Sequence, residues 1–142
     1  MSSNVFKDIK EMHDKFGHSA WKDAHKNNPE MLRKLLNYRI VKMMDEEMNE
    51  LRSAAFVDDD PEGVVDAIID LMFFSVSILD LFEVDGEKAW NEVLAANMAK
   101  EPGIKPDRPN KFGLPDMIKP AGTWVPPDNS NNVGLLKDVF EN

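Results

Sequence analysis

The chain has 142 residues, 42% of them hydrophobic and 30% charged, with no cysteine and a formal net charge of −9. That is enough chain for one domain with its own core, and too acidic a balance for a general nucleic-acid binder, which needs a basic face. Without cysteine there is no disulfide framework, zinc–thiolate site or thiol nucleophile; no apolar run reaches the length of a membrane span, residues 1–20 lack the order of a secretory signal, and a cytoplasmic address is expected.

Val5, Ile9, Met12 and Phe16 keep helical spacing, so the first element is an amphipathic helix that Ser2 or Ser3 can cap and Gly17 can end. Residues 18–28 are polar and read as a loop. Trp21 stands alone there, either as a plug over the core or as a platform for a ligand base. Asn28-Pro29 opens a long helix running to about Phe56, since Asn is a good cap and proline suits the first helical position. Leu36, Ile40, Met43, Glu47, Glu50 and Ala54 share one stripe of it, so two glutamates occupy positions where core residues belong. Asp58-Asp59-Asp60-Pro61 is a turn, with Asp60 capping the next helix.

That next helix carries the most informative stretch, Val64 to Leu79. It is apolar enough for the middle of a core, yet Asp66 and Asp70 lie within it as its only charged residues. Four apart, they share a helix face. An unpaired carboxylate in an apolar interior costs on the order of several kcal/mol, and the stretch contains no Lys or Arg to offset it. Gly86 marks a turn, and a fourth helix is expected from Glu87 to Lys100, with Trp90, Val93, Leu94 and Met98 inward. Beyond Lys100 seven prolines exclude a long helix and disfavour a strand meander. This Pro-rich arm carries Phe112, Leu114, Met117, Ile118 and Trp124, which should pack on the bundle or on a second subunit, and Leu135 to Phe140 can add a last helical turn. The fold expected is all-α: about four helices over residues 1–100 and an extended arm over 101–142, in a single domain.

Two helices thus each bring a pair of acids, Glu47 with Glu50 and Asp66 with Asp70. A lone Glu-x-x-Glu is commonly a solvated face, but the aspartate pair has no polar face around it. Facing carboxylates repel and raise one another's pKa unless a divalent cation sits among them, and oxygen-only ligands suit Mg²⁺ or Mn²⁺. Other site chemistries fit less well. Di-iron bundles need histidine three residues after a glutamate, and His13, His18 and His25 all precede these helices. The His13-Asp14 pair resembles the metal-dependent His-Asp phosphohydrolases, but no histidine falls in the later helices. No Walker motif is present, and a serine triad lacks both an elbow and a suitably placed histidine.

Glu46-Glu47-Met48-Asn49-Glu50-Leu51, then Val65-Asp66-Ala67-Ile68-Ile69-Asp70-Leu71, then Trp90-Asn91-Glu92-Val93-Leu94-Ala95-Ala96-Asn97-Met98-Ala99-Lys100 together resemble the all-α nucleoside triphosphate pyrophosphohydrolases. The nearest branch is the MazG-like, phosphoribosyl-ATP pyrophosphohydrolase-like one, which includes phage-encoded members. The resemblance covers roughly residues 7–128, with Ile118-Lys119-Pro120, Trp124 and Pro126-Pro127-Asp128 similar to the arm ending many such chains. It implies a Mg²⁺-dependent enzyme of the cytoplasm (the host's, if phage-encoded) that splits a nucleoside triphosphate into monophosphate and diphosphate; base selectivity stays open, with dGTP or GTP preferred over dCTP and dUTP.

By the same resemblance Glu47, Glu50 and Asp70 match metal-binding acids. The family pattern has an acid where this chain has Ala67, and Asp66 is the available substitute. Glu46 or Glu47 is the candidate base. Asn97 and Lys100 match residues near the substrate's phosphates, although both also suit an exposed helix end. Trp21 and Trp90 are candidates for stacking on the base. A homodimer or homotetramer is expected, because the apolar stripes exceed what one partner helix covers. Two other readings stay open: an enzyme acting on phosphoribosyl-ATP, and a non-catalytic acidic bundle that binds a protein.

Overall fold

The computed structural model describes residues 4–140, so the proposed caps Ser2 and Ser3 lie outside the described residues. Two compact units emerge. One holds the chain through Gly86 together with the segment from Val133; the other is Glu87–Asn132.

In the first unit, α1 (Val5–Lys15) starts at Asn4, whose side chain accepts from the amides of Phe6 and Lys7. Gly17, at φ 86°, turns the chain where a β-carbon would be strained. A second helix, α2 (His18–His25), follows where a loop is expected from the sequence. Its polarity hides it, but it is tied down: the Trp21 and His25 rings stack at 4.2 Å. His25 Nδ1 donates to the Trp21 carbonyl at 2.7 Å, and Lys22 bridges Asp23 and Glu83, each at 2.9 Å.

Asn28 caps α3 (Pro29–Asn37) through the Met31 amide. A π-helical stretch, Tyr38–Met44, then leads without a break into α4 (Asp45–Phe56). These three segments are the long helix expected from the sequence, with its period changed in the middle. After the turn, α5 (Pro61–Leu81) begins at Asp60, which accepts from the Gly63 amide at 3.0 Å. The long helix and α5 form an antiparallel hairpin, and Gly63 lets them close. A β-carbon there would stand 2.6 Å from the Asp60 carboxylate and 3.1 Å from Ala54 Cβ.

The core lies at the far end of α5, where Leu32, Leu81, Phe82, Val84 and Val139 are buried together. Val139 comes from the closing helix α7 (Leu136–Phe140), the short helix expected there. Gly134 lets this segment run against the Phe82 carbonyl, to which Leu135 donates at 2.6 Å.

The second unit contains most of α6 (Gly86–Met98) and the proline-rich segment. Gly86 begins the helix and does not mark a separate turn. Two three-residue strands, β1 (Glu101–Gly103) and β2 (Asp116–Ile118), pair antiparallel, a small sheet not expected from the sequence. Trp124 docks on α6, its indole N–H donating to the Ala96 carbonyl at 2.8 Å. Ile118 is half-buried against Gly103, whereas Phe112, Leu114 and Met117 are exposed in the single chain. Trp90, Leu94 and Met98 are likewise exposed, not inward, whereas Ala96 is the buried residue of that helix. No helix among the described residues is long and apolar enough to cross a membrane.

Candidate active site

The hairpin of α4 and α5 positions the acids. Antiparallel packing sets Ala54 against Gly63, and the same register one seam upward brings Glu47 to Asp70, with Glu50 a turn away on Glu47's own helix. A groove of about 540 Å³ opens beside this hairpin. Glu50, Asp58, Asp60, Asp66 and Asp70 line it, together with uncharged residues and no Lys, Arg or His.

Glu47 registers the crowding. Burial, followed by the Glu50 and Asp70 carboxylates, pushes its carboxyl from an ordinary value of 4.5 up to about 7. Its Oε2 is buried without a hydrogen-bond partner among the described residues. An orphaned carboxylate oxygen beside two further acids is a place where added positive charge is favourable.

Among the described residues no group of three or more histidine or acidic side chains is gathered tightly enough to enclose a metal by itself. The donor set nevertheless fits a hard divalent cation. Mg²⁺ is commonly bound through one or two carboxylates, keeping waters and taking further oxygens from a substrate's phosphates.

The remaining expectations resolve individually. Asp66 and Asp70 are not sealed in an apolar interior; both are exposed on the groove side. α5 is apolar for another reason: Val65, Ile68, Ile69 and Met72 form a stripe whose members remain between 43% and 59% exposed in the single chain. Glu46 turns outward and pairs with Lys42 at 3.2 Å, apart from the Glu47 cluster. Trp21 is half-buried and stacked on His25. In the second unit, Trp90 is exposed and Asn97 half-buried. The Lys100 ammonium lies 5.3 Å from the Trp124 ring, which Lys119 also approaches at 4.9 Å.

A polar group that sequence reasoning passed over lies further along α5. His13 is fully buried; its Nδ1 donates to Asp80 Oδ2 at 2.6 Å and its Nε2 meets Ser77 Oγ at 2.8 Å. The histidine that a serine triad would require is therefore present, contrary to expectation. Ser77, however, has no exposed surface and cannot meet a substrate carbonyl. The signal was in the spacing: Ser77 follows Asp70 by seven residues, so the polar seam of α5 continues past the aspartates.

An antiparallel helical hairpin with Glu-x-x-Glu on one arm facing aspartates on the other defines a class, the MazG-like all-α nucleoside triphosphate pyrophosphohydrolases. The family model for phosphoribosyl-ATP pyrophosphohydrolase matches residues 9–97, and the chain belongs to that family. Searches of the curated proteins and of the solved structures return no match.

Proposed function

We propose that the chain is a Mg²⁺-dependent nucleoside triphosphate pyrophosphohydrolase, converting a (d)NTP and water to a (d)NMP and diphosphate. The observation that carries this reading is Glu47: a carboxyl with a buried, unpartnered oxygen, set against Glu50 and Asp70 beside a groove whose charged residues are all acidic. Glu47, Glu50 and Asp70, with Asp66 beside them, are the residues that would hold Mg²⁺ (or Mn²⁺). When bound, such an ion supplies neutralisation of the phosphate oxygens and acidifies water.

The chain's own contribution is positional and protonic. Glu50 and Asp70 would help hold the ion and so place the substrate's phosphates at the groove. Glu47, whose Oε2 has no hydrogen-bond partner among the described residues, takes the proton from the attacking water. As the new phosphorus–oxygen bond forms, the anhydride bond breaks and diphosphate leaves with its electron pair. Glu46, paired outward with Lys42, is the weaker choice of base. Asn97 on α6 and Lys100 just beyond its end are proposed phosphate-binding residues, and Trp21 and Trp90 are proposed base-stacking ones.

The test is diphosphate release from a panel of nucleotides, with and without Mg²⁺, with dGTP and GTP first. Turnover of none of them, together with no Mg²⁺-dependent thermal stabilisation, would remove the reading in favour of a protein-binding bundle. Phosphoribosyl-ATP belongs in the panel because the matched family model is built on that activity; turnover of it alone would relocate the substrate but keep the chemistry.

Assembly is part of the proposal. Val65, Ile68, Ile69 and Met72 repeat at helical spacing and are all exposed, more apolar surface than a monomer usually leaves on one helix. A second copy of the chain is the proposed cover, giving a homodimer or homotetramer. Mass measurement in solution tests it.

A further inference from the structure

The seam that joins Glu47 to Asp70 has a second, cationic end. Arg39 stands eight residues before Glu47, and Ser77 seven after Asp70. Arg39 donates to Ser77 Oγ at 3.4 Å, and its guanidinium lies 5.7 Å from the Phe74 ring. The antiparallel register is therefore continuous: Ala54 with Gly63, Glu47 with Asp70, Arg39 with Ser77. In an unbroken α-helix Arg39 and Glu47 would be roughly 80° apart around the axis. The π-helical stretch Tyr38–Met44 takes more residues per turn and brings both to the same seam.

Arg39 is an unusual residue to leave there. It is half-buried, and among the described residues no carboxylate pairs with it. A desolvated guanidinium without a counter-charge is unfavourable. His18 Nδ1 is buried with no hydrogen-bond partner among the described residues, its ring stands 5.2 Å from that of His13, and burial, then the charges of His13 and Arg39, hold its pKa down.

Beneath them runs a hydrogen-bonded chain. Asp80 accepts from His13 Nδ1–H, Nε2 of the same ring meets the Ser77 hydroxyl, and Ser77 Oγ accepts from Arg39. This chain fixes one edge of the guanidinium, and among the described residues no carboxylate engages the rest.

We propose that Arg39 and His18 form a subsite for a hydrogen-bond-acceptor edge of the bound nucleotide, at the end of the seam away from the carboxylates. The proposal rests on the carboxylate end being the phosphate and cation site. Along α5, Asp70 and Ser77 are about 10 Å apart, a span comparable with an extended nucleotide. Two parts of a nucleotide present acceptors alone in a planar fork's geometry: a phosphate, and the O6/N7 edge of guanine, which arginine reads bidentately. Adenine places a donor at the equivalent edge. Arg39 and His18 are positioning residues, not catalytic ones.

The experiment is equilibrium binding of GMP, AMP and inorganic triphosphate in EDTA to the native chain, Arg39→Met and Arg39→Lys, beside steady-state kinetics in Mg²⁺. Arg39→Met should weaken binding about tenfold or more, and Arg39→Lys should recover only part, because the fork is lost. In turnover, KM should rise more than kcat falls. Loss confined to GMP identifies the guanine edge; equal loss for all three ligands identifies a phosphate. In the native protein, the His18 ring resonances should move when the ligand is added.

Binding unchanged within about twofold in both variants, or His18 resonances unmoved at saturation, overturns the subsite. Should Arg39→Met fail to fold, Arg39→Lys and the native His18 spectrum still decide. Because binding is read without metal, absent turnover by the native chain would count against the hydrolase reading and leave this measurement intact.

Discussion

His13 on α1 and Asp80 on α5, 67 residues apart in sequence, are joined by a 2.6 Å hydrogen bond from Nδ1 to Oδ2, inside a unit that otherwise coheres through leucine, valine and phenylalanine. Because His13 also engages Ser77, its removal would break two polar contacts and open a cavity. His13→Ala should therefore destabilise by about 2–5 kcal/mol. His25→Ala, which loses only a half-buried stack on Trp21, should lose about 0.5–1.5 kcal/mol. Denaturant unfolding of both variants checks the contrast, and equal losses would mean the His13 network contributes no more than a surface stack.

The Glu50 and Asp70 carboxylates are exposed at the groove, so neither is needed to fill the core. Glu50→Ala and Asp70→Ala should each bring Mg²⁺-dependent diphosphate release to background. Both variants should keep native helical circular dichroism and unfolding midpoints at or above that of the metal-free parent, since a repelling charge is gone. Undiminished turnover in both would refute their assignment to the metal.

How much of this was legible beforehand follows from where the determinants lie. Asn28-Pro29 and Asp60-Pro61 announce helix starts locally, and both caps form as expected. The Glu47–Glu50 and Asp66–Asp70 spacings place acids on facing helices because i, i+3 and i, i+4 relations are fixed by the helix itself. α2 was not legible: its stability comes from Lys22 reaching Glu83 and from the Trp21–His25 stack, contacts that leave no apolar period. Nor was the π-helical stretch, since its sequence continues an ordinary α pattern and only packing on Phe74 and Ser77 reveals the altered period. Asp66 and Asp70 look interior in the sequence because α5 is apolar on most sides, whereas they open on a groove and part of the apolar surface is the exposed Val65–Met72 stripe.

That stripe gives a prediction about assembly. Ile69 is 50% exposed, with Val65, Ile68 and Met72 as its neighbours at helical spacing. Ile69→Glu would place a charge where a second copy must exclude water. The expected result is a fall in solution mass to the monomer, with far-ultraviolet circular dichroism unchanged. A native chain that is already monomeric, or an oligomer indifferent to the substitution, would show that the stripe is not the interface.

Gly63 sits where α4 and α5 come closest. Gly63→Ala would drive a methyl group to within 2.6 Å of the Asp60 carboxylate and 3.1 Å of Ala54 Cβ. Alanine is ordinarily the better helix former, so propensity alone predicts a gain. The clash and the disturbed Asp60 cap predict a net loss of about 1–3 kcal/mol instead. Asp60→Ala, removing the cap alone, should lose about 1 kcal/mol. Thermal unfolding separates the two, and a stabilised Gly63→Ala would mean the hairpin is looser at its turn than the packing implies.

Glu47 should make the metal-free protein's stability depend on pH in a definite direction. In the folded chain its carboxyl keeps a proton up to about 7, while in the unfolded chain it releases the proton near 4.5. Between those values the folded state binds more protons, so this group's contribution to stability falls as pH rises from 4.5 to 7 and is constant outside that window. Glu47→Gln, which cannot ionise, should therefore unfold at a higher temperature than the parent at pH 8, with the difference vanishing toward pH 4.5. Mg²⁺ should reverse the order at pH 8, because the ion offsets the repulsion from Glu50 and Asp70 and binds the carboxylate better than the amide. Its affinity for the parent should weaken as pH drops below about 7, where binding must displace the Glu47 proton. Melting curves of the two proteins at pH 4.5, 6 and 8, with and without Mg²⁺, read all of this directly; a parent-to-variant difference that ignores both pH and metal would place Glu47 outside the acidic cluster.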